Sequence, residues 1–213
     1  MLVETIRTGG DRNLAYLVAD ADTMTAAIID PSFSPRAVIR VAEDLHLDIR
    51  YAFCTHGHID HTNGNGVIRS VLGIEPLLYG DTESASGRSI LHGSQLPLGG
   101  LIIEILHTPG HTDDSICLLI DDAVFTGDTL FVGKVGGTGF GRDALAEYDS
   151  LHQRLMALPD HVRVFPGHDY GVAPSSTIGA ERGTNPFLLQ PDFESFVHLK
   201  QTWDQYKLEH GIA

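Results

Sequence analysis

The stretch Thr55-His56-Gly57-His58-Ile59-Asp60-His61 decides how the rest of the chain is read. Three imidazoles and one carboxylate fall within the six residues from His56 to His61. Like polar groups packed this closely cost desolvation unless something binds them, and a divalent metal binds both kinds. The apolar run Tyr51–Thr55 leads straight into the cluster and reads as a short strand. The cluster therefore belongs on a loop at the C-terminal end of a strand, a common address for active sites in layered α/β folds.

Upstream, Leu2–Thr8 and Leu14–Ala19 read as strands joined by the Gly9-Gly10-Asp11 turn, and Thr25–Ile29 as a third, stopped by Asp30-Pro31. Pro35–Leu47 reads as a helix, with Val38, Val41, Ala42 and Leu45 at helical spacing and Ser34 as its N-cap. Downstream, Asn63–Leu72 reads as a short helix, Leu77–Tyr79 as a strand and Gly80–Gly100 as loop. Leu101–Leu106, Ser115–Ile120, Ala123–Thr126 and Val162–Phe165 read as strands. Asp143–Leu158 is the best helical pattern, with Leu145, Tyr148, Leu151, His152, Leu155 and Leu158 on one face. Phe193–Glu209 reads as a closing helix.

One pattern recurs along this layout. An apolar strand ends, a tight glycine-containing turn follows, and a metal-ligand residue appears. It happens at His56, His111, Asp128 and His168, and strand ends at one sheet edge would bring them together. The candidate ligands are His56, His58, Asp60, His61, His111, Asp128 and His168, with Asp60 also the candidate for orienting the attacking group. The remaining histidines lack this context and read as ordinary. The glycine-dense loop from Gly133 to Gly141 matches neither a nucleotide-phosphate loop nor the dinucleotide fingerprint. Imidazole and carboxylate ligands suit Zn, Fe or Mn, whereas structural zinc sites are usually closed sets rich in Cys.

The order and spacing of Thr55–His61, Thr108–Thr112, Thr126–Thr129 and Pro166–Tyr170 resemble the metallo-β-lactamase superfamily over nearly the whole chain. The resemblance implies an α/β fold, the four-layer αββα sandwich, with the site at one edge of two sheets. It implies a single domain over 1–213 with a short C-terminal helical extension at about 187–213. It also implies two divalent metal ions: His56, His58 and His111 on one, Asp60, His61 and His168 on the other, and Asp128 bridging.

Within the superfamily the chain looks most like the glyoxalase II and persulfide dioxygenase branches, in Gly127–Phe131 and in Gly167-His168-Asp169-Tyr170. The expected activity is attack of metal-bound hydroxide on a hydroxyacylglutathione-like thioester. The alternative is a mononuclear iron persulfide dioxygenase using His56, His111 and Asp128 and acting on glutathione persulfide. Tyr170 matches a tyrosine that contacts glutathione in glyoxalase II-type enzymes, and Lys134 is the basic candidate in the glycine loop. Gly137 stands where these branches usually carry a basic residue, which weakens the expectation of glutathione itself as carrier. Arg142, Arg182 and Lys200 are further basic candidates.

Composition bounds the rest. Asp plus Glu number 28 against 14 Lys plus Arg, a net charge of −14 that argues against nucleic acid or anionic membrane as a partner. The expected partner is a small thiol-derived substrate, with self-association left open. No apolar run reaches the ~18 residues of a membrane span, and Met1–Glu4 lacks a basic and then apolar leader. A cytoplasmic location is expected. Cys54 and Cys117 form neither a disulfide framework nor a CxxC site and read as buried small hydrophobes.

Overall fold

A hairpin opens the chain, β1 (Leu2–Gly9) and β2 (Asn13–Asp20), followed by β3 (Thr25–Ile29), α1 (Pro35–Asp44) and β4 (Asp48–Phe53). These strands form one four-stranded sheet in the order β1-β2-β3-β4. The first two pairings are antiparallel, and β3 and β4 run parallel with α1 as their crossover. Helices α2 (Ile59–Thr62) and α3 (Asn65–Leu72) follow, then β5 (Gln95–Leu98), β6 (Leu101–His107), β7 (Ile116–Ile120) and β8 (Ala123–Gly127). The glycine loop carries two short strands, β9 (Leu130–Phe131) and β10 (Lys134–Val135). Then come α4 (Arg142–Ser150), which runs on through a π turn at Leu151–Leu155, β11 (Arg163–Pro166), β12 (Ser176–Thr177), α5 (Ile178–Thr184), α6 (Phe193–Gln201) and α7 (Trp203–His210). The computed structural model describes residues 1–211. The second sheet is six-stranded, in the order β12-β11-β8-β7-β6-β5, and its one parallel pair, β8 and β11, is bridged by α4.

Strand periodicity explains the layering. On β2, Leu14, Tyr16 and Val18 face the second sheet, while Ala15, Leu17 and Ala19 face Val38, Ile39 and Ala42 of α1 and Ile68 of α3. On the second sheet, Ile105, Leu118 and Phe125 point into the shared core. Leu106, Cys117, Val124 and Val164 point the other way, onto Leu151, Leu155, Ile178, Phe196 and Leu199. Two sheets face to face with helices on both outer faces make the αββα sandwich. Phe125 and Phe165 stack at 5.1 Å beside Tyr16, whose hydroxyl donates to the Pro166 carbonyl at 2.6 Å. Truncating Phe125 to Ala would cost about 3–5 kcal/mol.

Several local expectations differ. Leu77–Tyr79 is not a strand: it meets β4 through a single bridge at Phe53 and Leu77. The 80–100 stretch contains β5, a sheet-edge strand with Pro97 on it, and Pro is tolerated at edges. Ser34 does not cap α1 with its side chain, because its hydroxyl donates to the Thr8 carbonyl instead. The buried side of α4 is Ala144, Glu147 and Ser150, leaving Leu145 45% exposed. The closing helix is two, broken at Thr202. Cys54 and Cys117 are buried and free. Burial raises both thiols, Cys117 to about 12. Among the described residues no helix is long and apolar enough to cross a membrane.

Candidate metal centre

Strand polarity assembles the site. β4, β6, β8 and β11 end at Phe53, His107, Gly127 and Pro166, just before His56, His111, Asp128 and His168. These strands come from two sheets, so the ligands gather at one end of the sandwich and not along a single sheet edge. Two glycines make the convergence sterically feasible. Gly127 has φ +49°, and a Cβ there would overlap Thr55. A Cβ on Gly167 would lie 2.5 Å from Asp128 Oδ1 and 2.9 Å from the His61 ring.

Three sets of ligand atoms lie within 4.8 Å of one another: His56, His58 and His111; His56, His61 and Asp128; Asp60, His61 and His168. All seven sequence candidates thus come together. Their hydrogen bonds say which ring atoms are available. His61 Nδ1 donates to Asp30 at 3.0 Å, His168 Nδ1 to the Asp11 carbonyl at 2.7 Å, and His111 Nδ1 to the Gly137 carbonyl at 2.8 Å. His56 Nδ1 faces the Thr55 hydroxyl at 3.2 Å, and that hydroxyl donates to Asp30. The opposite nitrogens then point at one another. His58 Nδ1 lies 3.0 Å from both His56 Nε2 and His111 Nε2, and His61 Nε2 lies 3.2 Å from His168 Nε2. Each of these contacts needs either a shared proton or a cation between the two nitrogens, and a divalent metal would satisfy several of them at once.

Asp128 stands between the two sets. Its Oδ1 is 3.4 Å from His61 Nε2, its Oδ2 is 3.4 Å from His168 Nε2 and 3.6 Å from His111 Nε2. Asp128 Oδ1 is buried with no hydrogen-bond partner, the state expected of an atom that has a metal to bind. These residues fit a pair of divalent cations.

The family described as Metallo-beta-lactamase superfamily matches residues 8–168. The chain belongs to this superfamily. Among its relatives, the "Probable polyketide biosynthesis zinc-dependent hydrolase BaeB" of Bacillus velezensis is 29% identical over 205 residues, covering 93% of this chain and 91% of the relative. The "Persulfide dioxygenase ETHE1, mitochondrial" of Homo sapiens is 32% identical over 190 residues, 86% of this chain and 74% of that protein. The "Probable hydroxyacylglutathione hydrolase glo2" of Schizosaccharomyces pombe is 37% identical over 174 residues, 76% of this chain and 66% of the relative. The crystal structure of ETHE1 from Myxococcus xanthus matches with a TM-score of 0.86 at 33% identity, covering 96% of this chain and 92% of that one. Hydrolases and a dioxygenase thus share this superfamily fold at similar identity.

The superfamily ligand pattern leaves out several residues that hold this site. Asp30, at the end of β3, accepts from the Thr55 backbone at 2.7 Å, from the Thr55 hydroxyl at 2.8 Å and from His61. It is a carboxylate following a strand end, the same signal as the ligands, but Pro31 after it reads as a plain strand stop. Asn13 donates to the Asp60 carbonyl at 3.1 Å and its carboxylate at 3.2 Å.

Beside His168, the Tyr170 ring stacks at 4.7 Å with a 7° interplanar angle, and its hydroxyl donates to Asp11 at 2.7 Å. Lys134 Nζ lies 4.9 Å from the Tyr170 ring centroid, and burial lowers its pKa. The other basic candidates are committed elsewhere. Arg182 holds the Met156 and Leu158 carbonyls and Asp160, Lys200 is buried against Glu147, and Arg142 pairs with exposed Asp113.

The protonation of the metal-free site is uneven. Burial, then the neighbouring His61, lowers His56 to about 4. Burial acts the same way on His61, but Asp30, Asp128 and Asp60 outweigh it and raise that imidazole to about 9. Burial works to raise Asp128, and His168, His61 and His56 overcome it and hold the carboxyl well below the ordinary range.

Proposed function

We propose that the chain is a metal-dependent hydrolase acting on a small thioester of the hydroxyacylglutathione kind. The observation that supports this most is the completeness of the Asp60–His61–His168 set, in which every ligand has its own orienting partner: Asn13, Asp30 and the Asp11 carbonyl. A second set held this fully supports a second metal, although a one-metal site of the persulfide dioxygenase kind can retain such residues without filling them. In this reading His56, His58 and His111 hold one cation, Asp60, His61 and His168 the other, and Asp128 serves both. Bound Zn, Fe or Mn would lower the pKa of a shared water and polarise the thioester carbonyl.

The chain's own residues do the rest. Asp60, held by Asn13, orients the water and takes its proton. The water oxygen bonds to the carbonyl carbon, the C–S bond breaks, and the departing thiolate receives a proton to leave as a free thiol beside a carboxylic acid. Tyr170 and Lys134 line the carrier side, where the ammonium meets a carboxylate of the carrier. The net charge of −14 is consistent with a small substrate and against a nucleic acid.

A second reading is favoured by the likeness to Myxococcus xanthus ETHE1 along 96% of the chain. It has one iron on His56, His111 and Asp128, two imidazoles and a carboxylate that leave positions open for oxygen and a persulfide. Metal stoichiometry combined with two assays separates the readings. The expected result is two metals per chain and hydrolysis of S-lactoylglutathione or simpler thioesters with Zn, Fe or Mn loaded. His168→Ala should then lose one metal and most activity. One iron per chain, retained in His168→Ala, with oxygen uptake on glutathione persulfide and no thioester turnover, overturns the proposal.

A further inference from the structure

His111 is fixed by two backbone segments, Pro109-Gly110 before it and Gly136-Gly137, whose second carbonyl takes its ring proton. Both segments rest on Glu147 of α4, which is fully buried. A Cβ on Gly110, at φ +143°, would overlap the backbone of Glu147, so only glycine lets the helix touch the residue before His111. One turn on, the Ser150 hydroxyl donates to the Pro109 carbonyl at 2.8 Å. On the other side a Cβ at Gly136 would lie 3.0 Å from Glu147 Oε1 and would overlap the Asp128 carbonyl. Lys200 reaches in from α6, pairs with Glu147 Oε2, and donates to the Gly136 carbonyl at 2.7 Å. The carboxylate and the ammonium are both out of solvent, with side-chain exposures of 0% and 5%.

We infer that the Glu147–Lys200 pair is a positioning device for His111, linking α6 to the first half of the metal centre. A buried ion pair is often no better for stability than apolar packing of the same volume. What an ammonium does here that an apolar side chain does not is hold a loop carbonyl while neutralising a helix carboxylate. The carbonyl it holds is one residue from the acceptor that sets the His111 tautomer and ring angle. Outer partners of this kind govern how well an imidazole presents its other nitrogen. The inference rests on the proposed metal site.

Full-length chains titrated with Co²⁺ test it, with thermal unfolding as the control for folding. The His168→Ala background leaves the first half of the site, and the His58→Ala background leaves the second. Lys200→Met is expected to weaken Co²⁺ binding about 10–100-fold in the first background and less than about twofold in the second. Equal losses in both, or no loss in the first, overturn the inference. Lys200→Met leaves an unpaired buried carboxylate, so the double variant Glu147→Gln/Lys200→Met is measured beside it. It should fold and still show the first-half loss. A folded double variant that binds Co²⁺ like its parent refutes the positioning role. A wild-type chain that binds no Co²⁺ refutes the metal-site reading itself, a separate outcome.

Discussion

His56, His58 and His111 present three ring nitrogens with no carboxylate among them, whereas Asp60, His61 and His168 stand among Asp30, Asp60 and Asp128. Imidazoles of the two halves are pushed in opposite directions. Burial keeps His56 and His111 neutral at ordinary pH, with His56 down to about 4. In the second half, carboxylates overcome burial and raise both His61, to about 9, and His168. A cation entering the second half would compete with the proton that these carboxylates favour on His61, a competition that burial removes at His56. Asp128 faces both and belongs to neither.

Removing the shared residue tests that division most severely. Asp128→Ala should lower metal content in both halves and reduce activity beyond the about 100-fold that loss of an outer partner costs; metal analysis and turnover measure it, and full metal retention breaks the comparison. Asp30→Asn removes the charge behind His61 and one of the acceptor oxygens that Thr55 and His61 share. It should weaken the second metal about 10–100-fold and the first by less, since Asp30 reaches His56 only through the Thr55 hydroxyl, as a chelator titration would show. Proton release gives the next effect. Between pH 7 and 8, below the His61 value of about 9, second-half affinity should rise with pH as the metal displaces the His61 proton, and more steeply than first-half affinity.

The metal-free chain should show the same asymmetry in stability. The raised His61 contributes stability that is complete below its unfolded value of 6.5 and lost as pH climbs through about 9. The lowered His56 contributes stability present above 6.5 and lost as pH falls through about 4. The Tm of the metal-free protein should therefore fall on both sides of near-neutral pH. The smallest effect is at the rim: Tyr170→Phe loses one hydroxyl contact to Asp11 and should raise KM less than about tenfold with kcat nearly intact.

The two regions also differ in how much of them can be read from the chain. His56, His58, Asp60 and His61 are adjacent, and the later ligands repeat one local rule: an apolar strand, a glycine, then a polar ligand. That rule is legible because strand ends and glycine turns are short-range signals. It placed the ligands on one sheet edge, since strand pairing across 50 or more residues leaves no local mark. Asp30 was hidden by Pro31, which makes it read as a stop. Glu147 was hidden because a charged residue on a helix ordinarily faces water, and its partner Lys200 is 53 positions away. The edge strand β5 was missed because Pro97 and a length of four residues weaken the alternating pattern. The expected helical stripe holds at Tyr148, Leu151, Leu155 and Leu158, which pack into the second core, while Leu145 at its start faces solvent.

The nearness of His61 and His168 has a further consequence. One is carried by the first sheet and the other by the second, with their ring nitrogens 3.2 Å apart. A cation shared by them would act as a rivet between the two slabs of the sandwich. It binds the folded chain and not the unfolded one, so its occupancy adds to the work of parting the slabs. Metal supply would then govern the working lifetime of the protein as well as its turnover, and a chelator would age it by quickening unfolding.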